Sequence, residues 1–274
     1  MLMKREHVNY LQWSAAVSLV CAIVGTISLS TDFWINGTAK SNITDVQDSN
    51  INYGLFSGIL IRRILLSPKS YDIYFTCIFN ENICIWSCQQ YDGLRKKEAI
   101  SLFLGQETPF SCFVTTRSAD YNSSHGLAVK ELFLSASVAA TAIFFIILTI
   151  IIYYASFILI LINCFMSPAI NFLNITGIYL ITISAFLINL IALIIYGCYY
   201  NNWIKNNIGI LDTIVGDFKS DANLGFSYWI FFVIFLVHPT IVILLKLRNN
   251  RLILQRKETV IVVAKVNDPT TVLF

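Results

Sequence analysis

Four stretches of this chain are hydrophobic enough, and free enough of charge, to cross a lipid bilayer. The longest uncharged run lies between Glu131 and Lys205 and has 73 residues. A crossing helix needs about 20 residues, so this run holds two helices. They are separated near Pro168, which interrupts helical hydrogen bonding. Two further uncharged runs, one near each end, supply the other helices. The predicted spans are 8–31, 133–160, 174–198 and 225–245.

The segments outside these spans are predicted to be a first loop over 32–131, a second loop over 199–224 and a tail over 246–274. In the first loop, apolar residues alternate with polar ones, which is typical of a β-strand with one covered face. The alternating positions are Tyr71, Ile73, Phe75, Cys77 and Phe79. The predicted fold class is an all-α transmembrane four-helix bundle with a small, disulfide-bonded, β-rich extracellular loop domain.

The composition supports a membrane protein and argues against several other classes. Hydrophobic residues make up 56% of the chain and charged residues only 13%, about half the usual share of roughly 25%. Such a chain has too little polar surface for an ordinary soluble enzyme. The net charge of +3 is too small to indicate nucleic acid as a partner. The first predicted partner is the lipid bilayer itself.

Basic residues predict the orientation, because they concentrate on the cytoplasmic side of short loops and ends. Lys4 and Arg5 precede the first span, and five Lys or Arg residues follow the fourth within 246–257. Both termini are therefore predicted to be cytoplasmic, with both loops facing outward from the plasma membrane. The basic group after the fourth span either serves this orientation or holds anionic lipid.

An alternative reading of the first hydrophobic run is a cleavable signal peptide. Basic residues, an apolar stretch and Ser28-Leu29-Ser30 follow each other in the order that such a signal requires. The run is long for a signal peptide, and Tyr10 and Trp13 are residues typical of a membrane interface. We expect the run to remain as a span.

The first loop carries three matches to the acceptor pattern for N-glycosylation, Asn-x-Ser/Thr. All three lie on the side that the charges assign to the outside, so the two signals agree. The predicted glycosylation sites are Asn36, Asn42 and Asn122.

Four of the seven cysteines lie in the first loop, an even number that indicates disulfides in an oxidising compartment. Cys84 and Cys88 on one strand would be about 13 Å apart, too far to bond. A two-residue turn at Asn80-Glu81 places Cys77 opposite Cys84. We therefore predict the pairs Cys77–Cys84 and Cys88–Cys112, although a register slip of one residue would change them. Metal binding by the same cysteines is the alternative.

Three short passages lie next to the predicted spans. Trp34 follows the first span, Tyr53-Gly54-Leu55-Phe56-Ser57-Gly58 comes some twenty residues later, and Phe226-Ser227-Tyr228-Trp229 opens the fourth span. In these passages the chain resembles clarins, four-span proteins of the claudin-like group. The family-motif residues are Trp34, Gly54, Leu55, Phe56, Gly58 and Trp229. The four-cysteine segment between Gly58 and the second span departs from the family, which suggests a diverged member.

The motif residues also have a direct physical reading. Phe33 and Trp34 are expected at the outer interface, where aromatic rings anchor helices. Gly54 and Gly58 are expected to form a turn that presses Leu55-Phe56 onto the membrane-proximal surface. These residues either stabilise the fold of the loop or contact a partner.

Polar and small residues within the spans predict packing surfaces. In the first span, small residues recur every four positions and are expected to line one face for close helix packing. They are Ser14, Ser18, Ala22, Thr26 and Ser30. This face packs either against other helices of the same bundle or against a second copy of the chain in a dimer. Asn189 and His238 are polar groups at membrane depth; His238 is expected to satisfy local backbone groups, with a proton relay as the alternative.

The chain ends in Val272-Leu273-Phe274, which fits a tail that a PDZ domain binds as an added strand. Phe274 and Val272 would point to the same side.

No catalytic or cofactor pattern is visible, and we predict no enzyme activity, no metal and no cofactor. By its resemblance to clarins, the chain is expected to be a non-catalytic plasma-membrane organiser in sensory or epithelial cells. It would link membrane-protein partners to cytoplasmic adaptors and the cytoskeleton. The alternative function is that of an auxiliary subunit of an ion channel.

Overall fold

The structure, a computed structural model, describes residues 2–41, 49–62, 68–104, 106, 114–115, 133–165, 174–205, 210–212 and 216–266. The chain forms two compact units, each described separately below. The first comprises Met1–Ile23, Ile150–Leu187 and Ile234–Phe274, and the second comprises Val24–Thr149 and Ile188–Val233.

The described residues form six α-helices, all of which except the charged helix α2 overlap an uncharged run of the sequence. They are α1 Leu2–Ser30, α2 Asp92–Phe103, α3 Ala136–Phe165, α4 Ile175–Tyr199, α5 Phe226–Val237 and α6 Thr240–Val266, with a π-helical turn at Tyr200–Ile204. Within the described residues, four helical segments are long and apolar enough to cross a bilayer. They are Asn9–Ser30, Ala136–Phe165, Ile175–Ile204 and Phe226–Val260. By these lengths and compositions, the chain is a membrane protein.

The last helical segment differs in two ways from the predicted span 225–245. It is broken at Pro239, which has no N–H to donate, so α5 ends at Val237 and α6 begins at Thr240. In addition, α6 continues to Val266, well into the predicted tail. Residues 246–266 contain no Gly or Pro and many good helix formers, which explains the continuation.

A closed β-barrel forms from eight antiparallel strands in chain order. The strands are β1 Ile35–Ser41, β2 Ser49–Tyr53, β3 Ser57–Arg62, β4 Lys69–Ile78, β5 Ile83–Ser87, β6 Val114–Thr115, β7 Ile210–Asp212 and β8 Gly216–Leu224. The pairing of β1 with β8, with Ile35 opposite Leu224, closes the barrel. The β domain is therefore larger than predicted, because the second loop supplies two of its strands.

Side chains alternate between the two faces of the barrel wall. One set of strand positions is buried, including Ile51, Leu60 and Ile73 at 0% exposure. The opposite positions on β1, β2 and β8 carry asparagines, and Asn36 lies beside both Asn52 and Asn223. The predicted strand of period two is confirmed for Ile73, Phe75 and Cys77, which share the inner face, with Phe75 opposite Trp86 and Cys77 opposite Cys84. Phe79 was predicted to continue this strand but lies in the turn after β4, which ends at Ile78.

Helix α2, which we did not predict, covers the outer face of β4 and β5. Ala99 and Leu102 pack in one cluster with Ile83, Ile85 and Phe133. All five residues of β5 are consequently buried, because α2 covers one face and the barrel interior the other. An acidic residue in the first turn, Asp92, pairs with Lys96 four residues later and supports the start of the helix.

The first unit is a helical core of aliphatic and small residues. Its buried cluster consists of Leu11, Ala15, Leu159, Ile160, Ile178, Ile241 and Leu245. Ser18 Oγ donates to the Tyr153 carbonyl across 3.1 Å, a bond between two helices that a small residue makes accessible.

The predicted small-residue face of α1 is only partly correct. Ser14, Ser18 and Ala22 are fully buried, whereas Thr26 and Ser30 are exposed. A spacing of four residues advances about 40° around an α-helix with each step, so the row turns away from its neighbours. Other small residues of α1, such as Ser28, are buried in their place.

Candidate functional site

The three family-motif passages meet at one place in the second unit, around Trp34. The Trp34 indole is fully buried, and its Nε1 donates to the Ser28 carbonyl at 2.7 Å. Its ring centroid lies 4.8 Å from that of Tyr196 and 5.9 Å from that of Phe231. The prediction that Trp34 lies at the outer interface was therefore wrong. The neighbouring Phe33, in contrast, is 43% exposed.

The glycine turn of the motif lies next to this cluster. Trp34 N donates to the Tyr53 carbonyl at 2.9 Å, and Gly54 N donates to the Ser57 carbonyl at 2.7 Å. A Cβ on Gly54 would lie 2.7 Å from Ser57 O and 2.8 Å from Thr31 O. Only glycine permits this close approach of two backbone segments.

The two apolar residues of the turn differ in exposure. Leu55 is 5% exposed and Phe56 is 51% exposed. Leu55 therefore packs inside the protein, and the predicted contact of the pair with the membrane-proximal surface stays a prediction. Gly58 is similarly enclosed, because a Cβ there would meet the Asn52 carbonyl and the Ile73 side chain.

The start of α5 completes the cluster. Gly225 N donates to the Trp34 carbonyl at 2.8 Å, and Ser227 N donates to the Phe33 carbonyl at 3.0 Å. Ser227 Oγ lies 2.6 Å from Thr31 Oγ1. Trp229, the last motif residue, is 52% exposed. We name this group of residues 28–34, 53–58 and 225–231 the junction cluster.

The disulfide Cys77–Cys84 is present, so this pairing was predicted correctly, with the predicted register across β4 and β5. Cys88 is also disulfide-bonded. Its predicted partner Cys112 lies outside the described residues. The metal alternative has no support at Cys77 and Cys84, whose sulfurs bond each other.

A buried polar group beneath α2 was missed by the sequence analysis. The Ser87 hydroxyl donates to Glu98 Oε2 at 2.5 Å, and Glu98 is 8% exposed. Burial raises the pKa of the Glu98 carboxyl above its ordinary value, and the Ser87 hydrogen bond partly offsets this. The signal in the sequence was the pattern of Glu98, Ala99 and Leu102 on one helical face.

Arg95 bonds α2 to strand β4 and to the segment that follows β5. Its Nε donates to Thr76 Oγ1 at 2.7 Å, and its Nη1 donates to the Gln89 and Gln90 carbonyls at 3.0 and 2.7 Å. The guanidinium also lies over the Tyr74 ring, 5.2 Å from its centroid. These contacts make Arg95 a positioning group for the helix, since its donors are used within the domain.

Only one of the three predicted glycosylation sites lies in the described residues. Asn36 is exposed on β1, and glycosylation there stays a prediction. Asn42 and Asn122 lie outside the described residues, as do the tail residues Val272 and Phe274.

The two polar groups of the spans are buried. His238 packs its ring 4.5 Å from that of Tyr153. Its ring nitrogens have no hydrogen-bond partner in the described part of the chain, so the prediction that it satisfies local backbone groups was wrong. Asn189 is likewise fully buried.

Across the described ranges, no three His, Cys, Asp or Glu residues gather closely enough to hold a metal ion. A cavity below Leu55 and Trp86 has a volume of only about 20 Å³, which is room for one water molecule. No protein-family model and no curated protein matches this chain. The resemblance to clarins therefore depends on the residues of the junction cluster alone.

Proposed function

We propose that this protein is a non-catalytic organiser of the plasma membrane that resembles clarins. In this proposal both termini are cytoplasmic and the barrel is extracellular, as the basic residues at the two ends favour. The barrel contacts other cell-surface proteins, and the tail contacts cytoplasmic adaptors that connect to the cytoskeleton. Sensory and epithelial cells are the expected setting by family resemblance.

The observation that carries this proposal is the outer surface of α2. Four large apolar side chains on or beside this helix remain exposed, at 44–72%. They are Tyr91, Leu94, Ile100 and Leu104. The helix already buries Ala99 and Leu102 against β5, so additional exposed apolar side chains gain nothing in the monomer, and a protein partner is a good reason for them. We name these four residues the α2 surface.

The junction cluster supports the same division of roles. Its backbone hydrogen bonds and the buried Trp34 ring are used within the protein, so they hold the barrel strands to the helix ends. Its exposed side chains are Phe33, Phe56, Phe226 and Trp229. Partner contact then falls to surfaces with exposed side chains, of which the α2 surface is one.

The direct test is crosslinking mass spectrometry on native membranes with two matched variants. Ile100→Gln places a polar amide in the α2 surface, and Asp72→Asn places an amide at an exposed polar position of β4, outside that surface. We expect Ile100→Gln to reduce intermolecular crosslinks from residues 91–104 severalfold and Asp72→Asn to leave them unchanged. Equal crosslinking by both variants would remove the α2 surface from the proposal.

Purification in mild detergent separates this function from the alternative. An auxiliary subunit of an ion channel brings down the pore-forming protein in a fixed ratio. An organiser brings down adhesion or adaptor proteins in variable amounts.

The tail gives an independent test of the cytoplasmic link. A PDZ domain binds the terminal carboxylate with backbone N–H groups and takes the last side chain into a pocket. Phe274→Asp in the full-length protein is therefore expected to increase its mobile fraction in photobleaching experiments on cells. Lys265→Ala is the control, and an equal mobility of both variants would exclude this link.

A further inference from the structure

The loop between β4 and β5 is a short turn that is closed by a disulfide and carries an exposed aromatic ring. Phe79 to Asn82 connect the strands, and the Cys77–Cys84 disulfide closes the base of the loop. Asn82 has a φ of 56°, a left-handed conformation that asparagine tolerates better than most residues. Its N–H donates to the Phe79 carbonyl at 3.2 Å. Phe79 is 67% exposed.

This loop is bonded directly to the beginning of α3. Asn82 Oδ1 accepts a hydrogen bond from Ser137 N at 2.8 Å, which satisfies one of the free N–H groups in the first turn of the helix. Cys84 N donates to the Leu134 carbonyl at 2.8 Å. Because α3 is a membrane-crossing segment from Ala136 onward, the loop lies where the chain enters the bilayer.

Other exposed aromatic residues occupy equivalent places in the same unit. Phe33 directly follows the turn after α1, and its carbonyl bonds to the start of α5. Phe56 lies in the turn whose Ser57 hydroxyl donates to Asp32 Oδ1 at 2.6 Å. Together these residues form an aromatic rim, which consists of Phe33, Phe56, Phe79, Phe226 and Trp229, each 43–67% exposed.

We propose that the β4–β5 loop inserts the Phe79 ring into the interfacial region of the lipid leaflet nearest the barrel. Aromatic rings concentrate at this depth of a bilayer. The occupant of the surface is lipid because the loop is hydrogen-bonded to the first turn of α3, a helix long and apolar enough to cross a bilayer. Exposed Phe226 and Trp229 open another such helical segment. The disulfide and the Asn82 cap hold the ring at a fixed depth, so the loop is a second anchor of the barrel, separate from the helix ends.

Photo-crosslinking to lipid tests the proposal on the full-length protein. The photoreactive amino acid p-benzoylphenylalanine replaces Phe79, and the protein is reconstituted in phosphatidylcholine vesicles, irradiated and digested for mass spectrometry. Trp229 is the matched positive position, on the first turn of α5. Tyr91 is the matched negative position, because it is 72% exposed but lies beyond the end of β5 that is remote from the loop. A non-reducing peptide map that retains Cys77–Cys84 verifies the fold of each variant.

We expect phosphatidylcholine adducts at positions 79 and 229, with a yield several times that at position 91. A yield at position 79 no higher than at position 91 would overturn the proposal. Crosslinks from position 79 to a second protein chain in place of lipid would overturn it as well, since they would identify the loop as a protein interface.

Discussion

The barrel and the helical first unit bury opposite kinds of side chain. The barrel has large apolar residues inside, such as Ile51 and Leu60, and asparagines outside. The first unit exposes large apolar residues, such as Ile151 at 57% and Leu180 at 59%, and buries Ser14 and Ser18. Water drives apolar residues inward in the barrel, whereas in lipid the close contact of small residues favours packing. A substitution should therefore be costly in the barrel and the junction cluster wherever it removes apolar volume.

The largest expected effect is that of Trp34→Ala. This substitution removes a fully buried indole together with its hydrogen bond to the Ser28 carbonyl, so the free energy of unfolding should fall by about 3–5 kcal/mol. Trp229→Ala removes the same ring from a half-exposed position and should cost less than about 1 kcal/mol. Chemical unfolding in detergent measures both. Equal losses would show that burial in the junction cluster has no special value.

The next effect concerns the disulfide at the base of the β4–β5 loop. The double variant Cys77→Ser, Cys84→Ser removes a short crosslink and should cost about 2 kcal/mol, mainly through the entropy of the unfolded chain. Cys198→Ser is the control, because Cys198 is a free, exposed thiol. If the disulfide variant unfolds at the same denaturant concentration as the control, the bond does not stabilise the domain.

Two glycine-to-alanine substitutions should change stability by smaller amounts, one lowering it and the other raising it. Gly54→Ala should destabilise the protein by about 1–3 kcal/mol, because its methyl group would meet two backbone carbonyls. Gly93→Ala lies in α2 with open space around it and should stabilise that helix by up to about 1 kcal/mol. Thermal unfolding of the two variants side by side tests the prediction, and destabilisation by both would contradict it.

The smallest effect is on the pH dependence of stability. Burial raises the pKa of Glu98 above its ordinary value of 4.5, so the folded state binds its proton more tightly than the unfolded state. The resulting stabilisation is fully present below about pH 4.5 and is lost as the pH rises through the raised pKa. Glu98→Gln should therefore flatten the stability curve between pH 4 and neutrality, as measured by chemical unfolding at a series of pH values. A curve for this variant that runs parallel to that of the unsubstituted protein would contradict the assignment.

The sequence predicted the elements that local patterns determine. Uncharged runs gave the helices because lipid excludes charge from about 20 consecutive residues. Alternation at Ile73, Phe75 and Cys77 gave strand β4, and turn geometry gave the register that pairs Cys77 with Cys84. In each case, neighbouring residues carry the information.

The features that escaped prediction depend on contacts between distant residues. The pairing of Ile35 with Leu224 closes the barrel, and no local pattern marks those two strands as neighbours. Trp34 was placed at the interface because an aromatic residue after a span is typical of that position, yet Tyr196 and Phe231 form a pocket around it. The four-residue row in α1 failed because the helical repeat is 3.6 residues, which carries Thr26 away from the packed face.

Closure by the first and last strands also imposes an order on biosynthesis. The edge of β1 leaves the ribosome early, but its partner β8, Gly216–Leu224, follows only after α3 and α4 have been made. During that interval the edge offers free backbone donors and acceptors to any other strand. A truncated product that ends before residue 216 keeps this edge open permanently. Premature termination should therefore yield chains that aggregate or are degraded, with no shorter functional form.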